Sequence, residues 1–259
     1  MQLIYITSLI IIAPTTKPFL NPDHHMNTTT APYATLASRA EPSARALFIR
    51  HTYSHLAGAL LVFAGLCGLI LQSSLPEQLI PLMVGSQYSW LIVMGIFMGV
   101  SWIANKWAMS DTSVGMQYLG LGLYTLAEAL IITPLLYIAS VNYPGVIQQA
   151  AVMTGALFIA LTSIVFITRK DFSFMGPILS IAGIVAIGVI VSSILFGFNL
   201  GTLFSGLMIL FAGGAILYDT SNVLHHYRTD QHVAASLSLF ASVILLFWYI
   251  LRLLMSLRD

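Results

Sequence analysis

Long apolar stretches joined by short polar links fill the chain from about residue 53 onward. Counting runs of about 18 residues or more, the length needed to cross a bilayer as a helix, gives seven. They run approximately Tyr53 to Leu71, Trp90 to Ala108, Tyr118 to Ala139, Gln149 to Thr168, Phe174 to Phe196, Gly201 to Tyr218 and Val233 to Leu254. The short links leave no room for a soluble domain between them. The pattern therefore predicts an all-α membrane protein, a seven-transmembrane-helix bundle occupying residues 46–259.

Residues 1–45 read differently. The opening MQLIYITSLIIIAP is apolar but short for a span, and it lacks the basic n-region and small-residue cleavage site of a secretory signal. After PTTKPFLNPDHH, Met26 opens the polar run MNTTTAPYATLASRAEPSAR. The expectation is a disordered N-terminal tail over 1–45, with Met26 as the true start.

Composition agrees with the membrane reading. Of 259 residues, 58% are hydrophobic and 7% charged, against roughly 25% charged in a soluble domain. A net charge of +1 gives no basis for a nucleic-acid partner or a polybasic membrane surface. The single cysteine, Cys67, lies inside an apolar run with no metal-ligand spacing around it and reads as packing.

Charge sets the expected orientation, because cytoplasmic loops retain Lys and Arg. Arg39, Arg45 and Arg50 precede the first span, Lys106 ends the second, Arg169 and Lys170 follow the fourth, and Arg228 follows the sixth. The alternate loops hold only Glu77. The N-terminus is thus expected in the cytoplasm. Arg252 and Arg258 oppose an outside C-terminus, but a full seventh crossing fits the length better.

Packing signals are of the ordinary kind: Gly95 and Gly99 form a GxxxG, Gly201 and Ser205 a small-xxx-small pair, and Gly58 and Gly65 share a face. Pro134 removes a backbone donor within the third span and predicts a kink.

Ionisable side chains at membrane depth cost about 2.5–3.5 kcal/mol on insertion scales and face a bundle interior or a water-filled path. Glu128, Asp219 and Arg252 qualify. Glu128 is deepest, with Tyr124 one turn ahead and Gln117 further back on the same face. It reads either as a protonated carboxyl bonded to a neighbouring helix or as a cation or proton station. Asp219 either caps whatever follows the sixth span, since Asp-Thr-Ser suits helix starts and turns, or projects into the bundle if the helix runs on towards His225. Periodicity does not separate these.

His51 and His55 stand one turn apart, and His225, His226 and His232 lie at the same membrane face. Three of them with Asp219 could form a catalytic zinc site, although the HxxxH lacks the glutamate of a zincin. Solvated interfacial histidines are the plainer reading. An intramembrane aspartyl protease would need a second aspartate in a GxGD setting, and a rhomboid-type protease a GxSG. Neither is present.

Four segments together resemble the Bax inhibitor-1 (TMBIM) family: TRKDFSFMGPIL at 168–179, ILYDTSNVLHHY at 216–227, LSLF and LRLL within 237–254, and IRHTYSHLAGAL at the first span. The resemblance runs from about Ala46 onward. It implies six helices around a central C-terminal helix and a passive, pH-modulated cation leak, mostly of calcium, in a bacterial inner membrane. It also implies no enzymatic activity and no cofactor beyond the transported ion. The alternative it allows is a regulatory protein that binds a membrane protease or stress-response machinery.

The family's gate is a carboxylate pair on the sixth and seventh helices. The first position is matched by Asp219, whereas the seventh-helix pattern LSLYLD reads Leu237-Ser238-Leu239-Phe240-Ala241-Ser242 here. Two carboxylates in contact cannot both ionise freely, which is how such a pair senses pH. Ser242 instead offers Asp219 a hydrogen bond and no charge. The resemblance with this departure predicts a weakened or acid-shifted pH response. Lys106 is the candidate for the family's basic residue near the pair, and Glu128 falls where many members carry Glu-Gly.

Overall fold

At hydrocarbon depth a backbone polar group finds its partner only inside its own segment, so each apolar run folds as one α-helix. The computed structural model describes residues 35–86, 88–110 and 113–258. The start at Met26 and most of the expected tail lie outside the described residues. Eight helices follow in order: α1 (Pro42–Leu71), α2 (Leu75–Val84), α3 (Ser89–Ala108), α4 (Val114–Asn142), α5 (Val146–Thr168), α6 (Met175–Phe196), α7 (Gly201–His225) and α8 (His232–Ser256). All but α2 are long and apolar enough to cross a membrane. The ten-residue α2, with Pro81 inside it, was read in sequence as part of a loop.

Helix ends depart most from the apolar runs. α1 begins at Pro42, well ahead of Tyr53 and with a proline in the first turn, where a missing N–H costs nothing. Ser113 caps α4, its Oγ accepting from the Met116 N–H at 3.0 Å. The helix then runs unbroken through Pro134 to Asn142. α7 continues beyond Tyr218 to His225.

The last helix stands in the middle. Every residue of α8 from Val233 to Leu251 is buried, and α1, α3, α4, α5 and α7 all pack on it, with α6 leaning chiefly on α7. A helix apolar on all sides is suited to this place. The central C-terminal helix implied by the family resemblance is therefore present.

Close helix approach occurs at one glycine in particular. A Cβ on Gly120 would stand 2.5 Å from the Ala104 carbonyl oxygen and 2.6 Å from the Ala108 nitrogen. Gly120 thus lets α4 press backbone to backbone on the Ala104-xxx-Ala108 face of α3. The expected GxxxG does not act this way: Gly95 and Gly99 are exposed on the bundle surface, with nothing within 4 Å of an added Cβ.

Helices alternate in direction, and contacts at both ends show it. At the near end the segment before α1 pairs antiparallel with the α7–α8 connection. The Ala37 N–H donates to the Tyr227 carbonyl at 2.9 Å and the Thr229 N–H to the Thr35 carbonyl at 3.0 Å. Ala37 is fully buried beneath it. Ser38 and Arg45 add bonds to the carbonyls of His225 and Leu224. At the far end Arg258 donates to the Pro144 carbonyl and the Gln149 amide oxygen.

Candidate functional site: a carboxylate at the α7–α8 contact

Because α7 runs on to His225, Asp219 is an interior helix residue and not a cap. Its side chain is 2% exposed. Ser238 Oγ donates to Oδ1 at 2.8 Å, and Ser242 Oγ donates to Oδ2. The two serines are one turn apart on α8 and so share a face. Sequence reasoning chose Ser242 and missed Ser238. The i, i+4 pair of hydroxyls on an otherwise apolar helix was the available signal.

This arrangement ties both carboxylate oxygens to the central helix. Hydrogen bonds to a charged acceptor are shorter and stronger than neutral ones. Tyr227, just beyond α7, adds a buried phenol close to Asp219 and Ser238. Burial pushes that phenol well above its ordinary value, and the charge of Asp219 pushes it further the same way. It therefore stays neutral beside the serines.

Glu128 occupies another side of the bundle. It is 2% exposed, and its Oε2 is buried without a hydrogen-bond partner among the described residues. Tyr124, one turn earlier, packs edge-on against Phe240 at 6.1 Å between ring centroids, and Phe63 meets the same ring at 5.8 Å. On α8, Phe240 lies two residues from each serine, a rotation of about 200°. The Asp219 contact and the Tyr124–Glu128 cluster thus flank α8 on opposite faces. Gln117, on the same helix, donates to the Ser110 carbonyl at 2.9 Å and ties the α3–α4 link.

Lys106 does not join either group. It is exposed on α3, with Nζ 5.2 Å from the centroid of the Trp102 ring, while the neighbouring Asn105 is the buried residue.

The histidines divide into two sets. His51, His55 and His232 gather where α1 meets the start of α8, with centroids 5.0–6.3 Å apart, and His55 Nε2 shares a hydrogen bond with the Tyr118 hydroxyl at 2.8 Å. His225 donates from Nδ1 to the Ser221 carbonyl at 3.0 Å, and His226 lies 3.1 Å from Asp171. The less favoured grouping of His51, His55, His225 and His226 around Asp219 is not assembled among the described residues. Among the described residues no set of three or more His, Cys, Asp or Glu is placed to hold a metal.

The TRKDFSF segment now has a physical account. Arg169 ends α5 in a left-handed turn (φ 51°), and Asp171 then gathers the link. Its carboxylate accepts from the Ser173 N–H at 2.9 Å and from Ser221 Oγ at 3.2 Å, and it pairs with His226. The Phe172 N–H donates to Ser221 Oγ at 2.8 Å. Partial burial pushes the Asp171 carboxyl up, but the bonds from Ser173 and the charge and bond of His226 outweigh it, bringing it down to about 2. Ser221 is two residues beyond Asp219, so this link clamps the helix that carries the buried carboxylate.

Comparison with known proteins agrees with this architecture. Residues 45–259 match the family model described as inhibitor of apoptosis-promoting Bax1. The chain is 28% identical over 225 residues to Bax inhibitor 1 of Schizosaccharomyces pombe, covering 84% of this chain and 79% of that one. It is 28% identical over 207 residues to an uncharacterized protein of Pseudomonas aeruginosa, covering 79% and 87%. Protein LIFEGUARD 3 of Arabidopsis thaliana is 33% identical over 148 residues, covering 55% and 58%. With the buried C-terminal helix and the match over all seven spans, the chain belongs to the Bax inhibitor-1 family as a multi-pass integral membrane protein.

Proposed function

We propose that this protein is a passive cation pathway that leaks calcium, and that Asp219 is the carboxylate at its closed end. The observation that carries the reading is the buried Asp219 carboxylate, held by Ser238 and Ser242 where α7 meets the central helix. Hydroxyl and carboxylate oxygens are hard donors of the kind calcium prefers. An entering cation competes with the two serine hydroxyls for the same oxygens, so binding and release of the α7–α8 contact are one event. Glu128 is a second carboxylate of the pathway, reached around α8 and not in line with Asp219. The distribution of Lys and Arg supports a cytoplasmic N-terminus in a bacterial inner membrane, with Asp219 towards the inside.

Calcium efflux from liposomes holding the purified full chain tests this. Wild-type protein releases calcium faster than protein-free liposomes, and Asp219→Asn changes the rate severalfold. Equal rates for wild type, Asp219→Asn and protein-free liposomes would overturn it.

A further inference from the structure

At the far end of the bundle, opposite Asp219, a cavity of about 210 Å³ opens between α3, α6, the α6–α7 link and α8. At about 30 Å³ per water, that is room for about seven waters or a compact polar group. Arg252, one turn beyond Trp248 on α8, lines it together with Ser193 and Asn199, and Trp90 and Trp248 form its sides. Trp248 is buried and Arg252 half-buried. Arg45 meets a carbonyl, Arg228 meets Asp230 and Arg258 meets Pro144 and Gln149, whereas Arg39, Arg50 and Arg169 stand exposed. Among the described residues, Arg252 has no hydrogen bond or ion pair.

A guanidinium is charged at every accessible pH and carries five donors in a planar fork. Withdrawing it from water without an acceptor is costly. The pocket adds the Asn199 amide and two indoles and supplies no carboxylate, while the Ser193 hydroxyl already donates to the Ile190 carbonyl at 2.9 Å. A group that completes such a site is an oxyanion accepting several hydrogen bonds at once, which a phosphate does. Tryptophans sit at headgroup level in membrane proteins, and Trp90, half-buried in the first turn of α3 beside the exposed α6–α7 link, puts the mouth of the pocket at that level.

We propose that Arg252, with Asn199, binds a phosphate group in this pocket. An anionic phospholipid headgroup and free phosphate share that chemistry, and the test separates them. Full-length protein carrying Trp102→Phe and Trp107→Phe keeps only Trp90 and Trp248 as fluorophores. It is placed in phosphatidylcholine nanodiscs and titrated with phosphatidylglycerol or with inorganic phosphate. A saturable change in emission with phosphatidylglycerol alone, weakened at least tenfold in Arg252→Gln, assigns the site to the headgroup. A saturable response to inorganic phosphate with the same loss assigns it to the free anion. Asn199→Ala, on an exposed link, weakens the response severalfold and guards against a misfolded Arg252 variant. No saturable change with either probe, or an identical change in Arg252→Gln and Asn199→Ala, overturns the proposal.

Discussion

Ser242 of the central helix donates to the Asp219 carboxylate across the α7–α8 contact, at the position where the family pattern has a second aspartate. Ser238 occupies the other carboxylate oxygen from one turn away. Both bonds come from neutral hydroxyls, so neither brings a like charge to Asp219 as a second aspartate would. Calcium flux of wild-type protein in liposomes should therefore vary little between pH 6 and pH 8. Ser242→Asp creates a buried carboxylate pair that must hold a shared proton, so its flux should change steeply across the same interval. A steep wild-type profile would contradict this account.

Removing Ser238 tests the second bond. Interhelical side-chain hydrogen bonds in membrane proteins average about 0.6 kcal/mol and reach about 1.7 kcal/mol. Ser238→Ala should destabilise the protein by an amount in that range, measured by unfolding in mixed micelles. Ser236, on the same helix but bonded to its own Val233 carbonyl, supplies the control, and Ser236→Ala should cost less.

The α3–α4 contact makes a paired prediction. A side chain at Gly120 meets backbone atoms that cannot swing aside. Gly120→Leu should destabilise by at least the about 1–3 kcal/mol typical of overpacking, with a clear drop in thermal midpoint. Gly95→Leu, on the open outer face, should leave the midpoint nearly unchanged.

Asp171 gives a pH dependence with a definite sign. Its carboxyl is lowered from about 3.9 in an unfolded chain to about 2 in the folded protein. Its stabilisation of the α5–α6 link is present above about pH 4 and is lost as pH falls towards 2. Amide exchange at Phe172 and Ser173, corrected for intrinsic rates, should be slower in wild type than in Asp171→Asn at pH 5. The difference should close towards pH 2.

The strand pairing at the near end predicts a local effect. Ala37 is fully buried, so Ala37→Glu places an unpaired charge there. Residues 35–41 should detach, with faster exchange at Thr229, whose N–H donates to the Thr35 carbonyl. The seven membrane helices should keep their protection.

The helix cores were legible in sequence because a bilayer demands about 20 apolar residues per crossing. Their ends were not. α1 and α7 carry on through polar residues, several of which, Arg45, Asp219 and Ser221 among them, meet tertiary partners, so hydropathy falls while the helix continues. For α7 this decided the role of Asp219, since the residues that looked like a turn, Asp219-Thr220-Ser221, are helical and buried. Spacing rules were also blind to direction. Gly95 and Gly99 fit a packing motif yet face outward, whereas Gly120 packs on Ala104 and Ala108, a small-xxx-small pair that the sequence reading passed over. Lys106 fell at a plausible depth, but its side chain turned to Trp102. The i, i+4 spacing of Ser238 and Ser242 was there to be read, but that this face of α8 meets α7 shows only in the fold.

The burial of α8 on every side also bears on how the protein is made. The helix that its neighbours share is synthesised after all of them, so those six spans are in the bilayer before their common partner exists. Ser238 and Ser242 lie on that helix, so the Asp219 carboxylate has neither of these partners until it is made.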